Sequence, residues 1–439
     1  MNGLIDKLMR GIFYWPFRLT TNCSPVPYEP LKQFSVDTKI PVVYVTVSSG
    51  LGNIMAIERL TERLGLPSPF SPLEIHGLKI PRIAYLHEPR MFSPIGRDAH
   101  AEAIFEIWHK NCKELNTDLQ IIPISVLWSR NPGYKGRPLH GFGITNHTPS
   151  WKKFFKLIFE GRDNCTIVSG LIRLNSLIER CHGSPNMRLL CRFASIHFIT
   201  KARLLVGRPL PDRAKLIEEL MVRPAVKNAI EEEMTRAHQD YFTVLKRGRD
   251  IYEVMVSDPR YPLLRFVNSI VSHLWKRFYH GQTVLNADRV RRLLENGHSI
   301  IYIPCHRSHM DYIMLSFVIF HEGLQMPQIA SGDNLNFFPV GPIIRRCGSY
   351  FIRRRMKGDK FYITLFSEYL SLLFENGYAT EFFIEGGRSR TGRTLPPKTG
   401  MVAMAVESQL RGLKRPITFI PTYLGYEHVS EVRSYMSEL

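Results

Sequence analysis

The stretch that decides the fold is Ile300-Ile-Tyr-Ile-Pro-Cys305, followed by His306-Arg-Ser-His-Met-Asp311. The first part is apolar and rich in β-branched residues, which predicts a buried strand. The second part places a histidine at the strand end and an aspartate five residues later. We predict a helix start here, with Ser308 as N-cap and Asp311 at its third position. His306 then lies on the turn before the helix, where its side chain can meet that of Asp311.

This histidine–aspartate pair suits a general base. A carboxylate on one imidazole nitrogen fixes the tautomer and stabilises the imidazolium, while the other nitrogen takes a proton from a hydroxyl. The alternative interpretation is that Asp311 is only a capping residue and His306 only a polar residue at a strand end. Taken alone, the stretch leaves both interpretations open.

Composition limits the class of protein. The chain has 439 residues and a formal net charge of +19, so we expect about two or three domains and an anionic partner: nucleic acid, anionic lipid or a phosphorylated substrate. The seven cysteines are scattered and contain no Cys-x-x-Cys pair, which indicates reduced thiols. Metal-ligand spacing is absent, and no apolar run approaches the roughly 18–20 residues of a membrane span.

The chain divides into four predicted segments. Residues 1–39 form a lead segment whose apolar spacing fits a helix in a membrane interface or a helix docked on the protein's own surface. Residues 40–208 form a helix-rich N-terminal α/β domain, 209–281 a charged helical connector, and 282–439 the domain that contains His306 and Asp311. We expect an α/β fold with a mostly parallel central sheet flanked by helices and the His306 turn at the carboxyl edge of the sheet.

Two strand–turn–helix units echo each other. Val43-Tyr-Val-Thr-Val-Ser48 aligns without a gap with Ile301-Tyr-Ile-Pro-Cys-His306, and the same register sets Asn53 against Asp311. Two later strands also correspond: Ile121-Ile-Pro123 and Phe419-Ile-Pro421. Either the first half is a degenerate copy of the second that lacks the base and its carboxylate, or the two units are unrelated.

A glycine-rich turn, Glu385-Gly-Gly-Arg-Ser-Arg-Thr-Gly-Arg393, follows a strand predicted at Thr380–Ile384 and precedes a helix predicted at Gly400–Leu410. Exposed backbone N–H groups and arginine guanidinium groups are anion-binding chemistry. We reject a P-loop, since Pro396-Pro397 prevents the helix that must follow it and the lysine is missing. A second basic run, from Arg345 to Lys360, is either a solvated face or a phosphate-binding wall.

Four blocks, taken in order, resemble the glycerolipid acyltransferase family. They are His306-x4-Asp311, Gly348-x-x-Phe-Ile-Arg-Arg354, Phe383-Ile-Glu-Gly-Gly-Arg388 and Ile420-Pro-Thr-Tyr423. The third block continues to Arg393, as Phe383-Ile-Glu-Gly-Gly-Arg-Ser-Arg-Thr-Gly-Arg393, and a further motif, Gly425-Tyr-Glu-His-Val429, follows the fourth. These two features narrow the resemblance to the bacterial membrane-bound glycerol-3-phosphate 1-O-acyltransferases. The resemblance is sharp over Asp288–Leu439 and looser over Ile40–Arg223. Members of that family continue beyond the last block, which predicts that this chain is a fragment or lacks a C-terminal region.

The resemblance implies a reaction. A fatty acyl group would move from acyl-CoA or acyl carrier protein to the sn-1 hydroxyl of glycerol 3-phosphate, giving 1-acyl-glycerol-3-phosphate in the first step of phospholipid synthesis. His306 would be the base and Asp311 its partner, with His309 as the poorer alternative base. The residues that would bind glycerol 3-phosphate are Arg353, Arg354, Glu385, Gly386, Arg388 and Arg390. Pro421 would lie on the acyl-donor side.

The resemblance also implies a setting. We expect no cofactor, an anionic phospholipid membrane as partner, and a peripheral position on the cytoplasmic face of the bacterial inner membrane. One alternative is a non-catalytic basic protein that binds anionic membranes or nucleic acid, although the patterns of nucleic-acid modules are absent. Another is an acyltransferase acting on lysophosphatidate, against which the extended glycine-rich block argues.

Overall fold

The computed structural model describes residues 24–26, 30–37, 40–48, 51–75, 77–87, 99–115, 117–127, 165–180, 186–206, 212–278, 282–356 and 358–426. The chain forms two units, which meet in sequence between residues 206 and 207. The predicted interfacial helix near the N-terminus lies outside the described residues. Among those that are described, no helix is both long and apolar enough to cross a bilayer.

The first unit is a mixed α/β structure. Its strands are β1 (Ser24–Val26), β2 (Val42–Ser48), β3 (Leu73–Ile75), β4 (Leu78–Ile80), β5 (Ile83–His87), β6 (Gln120–Leu127), β7 (Cys165–Val168) and β8 (Ile172–Arg173). Its helices are α1 (Pro30–Phe34), α2 (Leu51–Leu64), α3 (Ala99–Leu115), α4 (Leu174–Arg180) and α5 (Met187–Val206). The sheet order is β1-β7-β6-β2-β5, with β8 on β6.

Strand β2 is central in this sheet and is buried on both faces. Val43 and Val45 pack into one apolar cluster and Val42 and Tyr44 into another, as expected where successive side chains point to opposite faces. A continuous apolar run is typical of a parallel strand covered by helices on both sides. Accordingly, β2 pairs in parallel with both β5 and β6.

The second unit contains a five-stranded sheet in which every pairing is parallel. Its strands are β9 (Ser299–Pro304), β10 (Gln328–Gly332), β11 (Ser349–Ile352), β12 (Thr380–Glu381) and β13 (Ile417–Thr422). Its helices are α6 (Arg213–Met221), α7 (Pro224–Ala237), α8 (Tyr241–Met255), α9 (Tyr261–Phe278), α10 (Ala287–Glu295), α11 (Asp311–His321), α12 (Val340–Arg346), α13 (Lys360–Glu375) and α14 (Gly400–Leu410). The strand order is β11-β10-β12-β9-β13, and the predicted α/β fold is confirmed.

Helix α13 is the centre of this unit's largest apolar core. Its sequence is apolar almost all round, which is typical of a helix buried on every side. Leu365 and Tyr369 of α13 pack in one cluster with Leu216 of α6, Ile230 of α7 and Tyr252 of α8. The helices that the sequence analysis separates as a connector, residues 209–281, thus contribute to the core of the second unit.

The two sheets repeat one pairing. In the first unit Val43 on β2 pairs with Ile121 on β6, and in the second Ile301 on β9 pairs with Phe419 on β13. These are the residues that the sequence echo sets against each other, so the correspondence extends from the sequence to the strand register. A common origin of the two units stays a prediction.

The strand predicted at Thr380–Ile384 is shorter than expected. Strand β12 ends at Glu381, and Phe382 N donates to Tyr302 O at 3.2 Å before the chain turns. Gly386 N then donates to Phe383 O at 3.0 Å, closing a tight turn. The β-propensity of Phe382–Ile384 is therefore overridden by the turn that brings the glycine-rich segment to the sheet edge.

Candidate functional site

Strand register brings the predicted blocks to one edge of the second unit's sheet. The pairing sets four residues in one row: Tyr302, Glu381, Ile329 and Ser349. Four positions later in the chain, beyond the end of each strand, lie His306, Glu385, Asp333 and Arg353. Because all strands are parallel, these residues emerge at the carboxyl edge, where ligands bind in open α/β sheets.

His306 and Asp311 are in contact. His306 Nδ1 lies 3.0 Å from Asp311 Oδ2, and this hydrogen bond assigns the imidazole proton to Nδ1 and a lone pair to Nε2. The Asp311 side chain is fully buried, whereas that of His306 keeps 17% of its surface exposed. The imidazole also lies against the ring of Phe383, with 4.1 Å between centroids. The imidazole of His306 is therefore oriented from two sides and still reaches solvent.

The Asp311 carboxylate accepts several hydrogen bonds. Oδ2 accepts from the backbone N–H groups of Arg307 at 2.6 Å and Ser308 at 2.9 Å, and Oδ1 accepts from Tyr426 Oη at 2.8 Å. Burial raises the pKa of Asp311, but the hydrogen bonds from His306, Ser308, Arg307 and Tyr426 outweigh it and hold the pKa below its ordinary value. The Asp311 carboxylate is therefore held as an anion beside His306 Nδ1.

The predicted cap of this helix was wrong. Helix α11 begins at Asp311, and Met310 occupies the N-cap position without a side-chain hydrogen bond. Ser308 Oγ instead accepts from Met310 N at 3.0 Å within the preceding turn. The predicted reach of Asp311 back to Ser308 is present, since Asp311 Oδ2 accepts from Ser308 N at 2.9 Å, so only the position of the cap differs. His309, the alternative base, is exposed on this turn.

Glu385 holds the backbone of His306. Its Oε1 accepts from His306 N at 2.9 Å and its Oε2 from Leu395 N at 2.8 Å, and Glu385 is only 5% exposed. Ser389 N in turn donates to His306 O at 2.8 Å. The glycine-rich turn therefore fixes His306 through both of its backbone polar groups. This arrangement gives Glu385 a positioning role, and its predicted contact with substrate stays a prediction.

Gly386 and Arg388 belong to the same turn. Gly386 has φ +62°, a left-handed backbone conformation that favours glycine. A methyl group there would lie 2.6 Å from Lys398 Cδ, so the exposed lysine chain would have to move aside. Arg388 is half-buried and Arg390 exposed. Lys398 N donates to Ile384 O at 2.7 Å, which keeps the lysine beside the turn as an additional cation that the sequence analysis did not single out.

Of the three adjacent arginines after β11, the two that were predicted to bind phosphate, Arg353 and Arg354, differ in their contacts. Arg353 NH1 pairs with Asp359 Oδ2 at 3.1 Å, and its guanidinium lies 4.6 Å from the centroid of the Tyr362 ring. Arg354 is exposed and, within the part of the chain that the structure describes, has no ion-pair partner. A cavity of about 570 Å³ lies beside Arg353, with Phe351 in its lining. Of these two, Arg354 is thus the one whose charge is available to an anion.

The last block lies on the other side of His306. Pro421 is on β13 opposite Ile303, and this edge strand tolerates a residue without an N–H group. Next to it, the Arg307 guanidinium lies 4.9 Å from the centroid of the Tyr423 ring and donates to its hydroxyl at 3.2 Å. The residues predicted to bind the acyl acceptor, glycerol 3-phosphate, and Pro421, predicted to lie on the acyl-donor side, are therefore on opposite sides of His306.

The sequence analysis missed two parts of the site. Phe383 lies within the third block, but the sequence predicts it inside a strand, and only the early end of β12 at Glu381 brings its ring against His306. Tyr426 lies within the segment that supported the family resemblance, but its hydrogen bond to Asp311 spans 115 positions of sequence. Such a contact depends on how β9 and β13 pair.

Comparisons with known proteins agree with the four blocks. Residues 9–207 match the family model described as "Glycerol-3-phosphate acyltransferase PlsB N-terminal domain", and residues 278–425 match the model described as "Acyltransferase". The glycerol-3-phosphate acyltransferase of Aeromonas hydrophila subsp. hydrophila is 40% identical over 100% of this chain and 55% of its own length. Those of Actinobacillus pleuropneumoniae serotype 3 and Shewanella woodyi are 39% and 38% identical over 100% and 99% of this chain, and over 53% and 54% of their own lengths. The chain spans about half the length of these relatives, and the predicted resemblance is confirmed.

Proposed function

Since the chain carries both the PlsB N-terminal domain and the acyltransferase domain of this family, we propose that it transfers a fatty acyl group to the sn-1 hydroxyl of glycerol 3-phosphate. The donor is acyl-CoA or acyl carrier protein, and the product is 1-acyl-glycerol-3-phosphate. The observation that carries the proposal is the 3.0 Å hydrogen bond between His306 Nδ1 and the buried Asp311 carboxylate. A base so oriented serves acyl transfer, whereas simple anion binding has no need of it.

The proposed mechanism is direct transfer. His306 Nε2 takes the proton of the C1 hydroxyl while that oxygen attacks the thioester carbonyl, and Asp311 stabilises the imidazolium that forms. The tetrahedral intermediate collapses, the carbon–sulfur bond breaks, and the departing thiolate takes the proton from His306. The products are the ester and the free thiol, and neither a cofactor nor an acyl-enzyme is required.

The phosphate of the acceptor is the proposed ligand of the basic residues at the same edge. Arg354 is exposed and without an ion-pair partner among the described residues, and a guanidinium matches phosphate geometry. Arg388 and Arg390 follow a glycine turn whose backbone N–H groups favour anions. The net charge of +19 favours encounter with such a substrate.

We propose a peripheral position on the cytoplasmic face of the bacterial inner membrane, with anionic phospholipid as partner. Phe266, Ile270 and Leu274 recur every four residues along α9 and are 61%, 45% and 46% exposed. This helix contains Arg265 and Arg277 but no acidic residue. An exposed apolar stripe beside basic residues is the pattern that binds an anionic bilayer surface.

The test is acyl transfer from palmitoyl-CoA to radiolabelled glycerol 3-phosphate in detergent–phospholipid micelles. The wild-type chain should yield label in a chloroform-extractable product, and the His306→Ala variant should yield none. A matched control is His298→Ala, which removes a histidine at the opposite end of β9, where Nδ1 lies 2.7 Å from Thr418 Oγ1, and which should retain transfer.

Two results would overturn the proposal. One is a folded wild-type chain that transfers nothing to glycerol 3-phosphate, as a non-catalytic or truncated membrane-binding homologue would. The other is a preference for 1-acyl-glycerol-3-phosphate as acceptor, which would make the chain an acyltransferase of the following step.

A further inference from the structure

The turn after β10 stands in the middle of the candidate site. Strand β10 lies between β12, which leads into the glycine-rich turn, and β11, which leads into Arg353 and Arg354. Strand β10 ends at Gly332, and a short 3₁₀ helix, Asp333–Leu335, follows directly. With about 4.8 Å between neighbouring strands, this turn is one strand from the arginines and two strands from His306. The sequence motifs predict no role for this turn.

Gly332 brings two side chains of this turn together. Its φ of −66° and ψ of 144° are open to any residue, so the backbone does not require glycine. A methyl group at this position would lie 2.5 Å from Asn334 Oδ1 and 3.8 Å from Arg354 Nε. The absence of a side chain therefore allows the Asn334 amide and the Arg354 guanidinium to lie over the same backbone position.

The segment that follows this turn is held in place by Arg345 of α12. The Arg345 guanidinium donates to Asn336 Oδ1 at 3.2 Å and to Val256 O at 2.7 Å, and it lies 4.6 Å from the centroid of the Phe351 ring. Gly341 N donates to Phe337 O at 2.7 Å at the end of the same segment. A turn held in this way presents its exposed side chains in a fixed position, as ligand recognition requires.

Asn334 is the exposed amide of that turn, and its side chain has no hydrogen-bond partner within the described ranges. An amide both donates and accepts, which matches a hydroxyl group better than it matches a phosphate. Along the sheet edge Asn334 lies between the base and Arg354. A glycerol phosphate that reaches from His306 to Arg354 has its secondary hydroxyl in the same intermediate place.

We propose that Asn334 binds the C2 hydroxyl of glycerol 3-phosphate and thereby selects acceptors that carry a hydroxyl next to the one that is acylated. The assignment rests on the proposed function, with the C1 hydroxyl at His306 and the phosphate at Arg354. It makes Asn334 a specificity-determining residue and Gly332 the position that makes room for it. An acceptor that lacks the C2 hydroxyl forgoes this hydrogen bond, whose net contribution is about 1 kcal/mol.

The test compares two acceptors, glycerol 3-phosphate and 3-hydroxypropyl phosphate, which lacks the C2 hydroxyl. Asn334→Ala should lower kcat/KM for glycerol 3-phosphate about tenfold, as expected for loss of one neutral hydrogen bond, and should leave kcat/KM for the analogue unchanged. Gly332→Ala, which displaces the amide, should give the same pattern. The control is Gly400→Ala at the start of α14, where an added methyl group meets nothing within 4 Å, and which should change neither value.

Equal losses with both acceptors would overturn the proposal, because Asn334 would then contact the phosphate or support the fold. Unchanged kinetics with both acceptors would overturn it as well. A wild-type chain that acylates neither acceptor refutes the proposed function instead, and glycerol 3-phosphate binding measured by calorimetry then decides the role of Asn334. Weaker binding by Asn334→Ala supports the contact, and equal binding refutes it.

Discussion

Replacing Glu381 by methionine tests whether this buried carboxyl group, in the sheet next to the strand that leads to His306, is protonated in the folded protein. Glu381 is completely buried on β12 opposite Tyr302, and among the residues that the structure describes neither of its carboxyl oxygens has a hydrogen-bond partner. Burial, and then the charge of Asp311, raise the pKa of Glu381 well above its ordinary 4.5. The folded protein therefore holds Glu381 as a neutral acid, so that Asp311 is the anion of the pair.

The magnitude follows from proton linkage. Above pH 4.5 the unfolded chain releases the Glu381 proton while the folded chain keeps it, so the free energy of unfolding falls with rising pH by about 1.4 kcal/mol per pH unit. The fall continues until the pH passes the raised pKa of the folded state. Methionine has a similar shape and no proton to lose, and it also removes an unpaired polar group whose burial costs about 1–3 kcal/mol.

The measurement is urea unfolding of the wild-type and Glu381→Met chains at pH 5 and pH 6, followed by hydrogen exchange in peptides from the second unit. Contributions of other titrating groups are common to both chains and cancel in the difference. We expect the methionine variant to be more stable at pH 5 and its advantage to grow by about 1.4 kcal/mol at pH 6. Glu381→Gln is the control, since it removes the pH dependence but keeps a buried polar group.

An advantage of the methionine variant that is equal at the two pH values would refute this reasoning. It would mean that Glu381 loses its proton in the folded protein as readily as in the unfolded chain.

Two further variants test how the His306–Asp311 pair is held. Tyr426→Phe removes the donor to Asp311 Oδ1, and we expect kcat for acyl transfer to fall about three- to tenfold with KM for glycerol 3-phosphate unchanged; a change confined to KM would contradict the positioning role. Glu385→Ala orphans the N–H groups of His306 and Leu395, and urea unfolding should show a loss of about 2 kcal/mol or more. Glu385→Gln keeps one acceptor and should recover part of that loss, whereas a fully stable alanine variant would contradict the assigned contacts.

Local sequence patterns determined much of the fold. The helix predicted at Gly400–Leu410 has the same bounds in the structure, and the proline pair Pro396-Pro397 shortly before it helps to set its start. The central strand, predicted at Ile300–Cys305 and found at Ser299–Pro304, was equally clear from its β-branched residues. Where local signals agree with the packing of the core, the sequence alone is sufficient.

Tertiary contacts decided the rest. Asp311 was predicted in the first turn of its helix, but the start at Asp311 itself depends on the turn that its carboxylate organises. Glu381 lies in an apolar run, and its complete burial follows from the pairing of β12 with β9 on one side and β10 on the other. The sequence alone does not show which strands are neighbours. Tyr426 reaches Asp311 only because β13 pairs with β9. None of these positions has a periodic signal that a single sequence could provide.

The most direct test of the account combines binding and transfer in one variant. His306→Ala removes the proposed base and leaves the Arg354 side of the site in place. We predict that calorimetry gives the same affinity for glycerol 3-phosphate as in the wild-type chain, while transfer from palmitoyl-CoA disappears. Transfer that persists in this variant would contradict the assignment of His306 as the base on which the proposed mechanism depends.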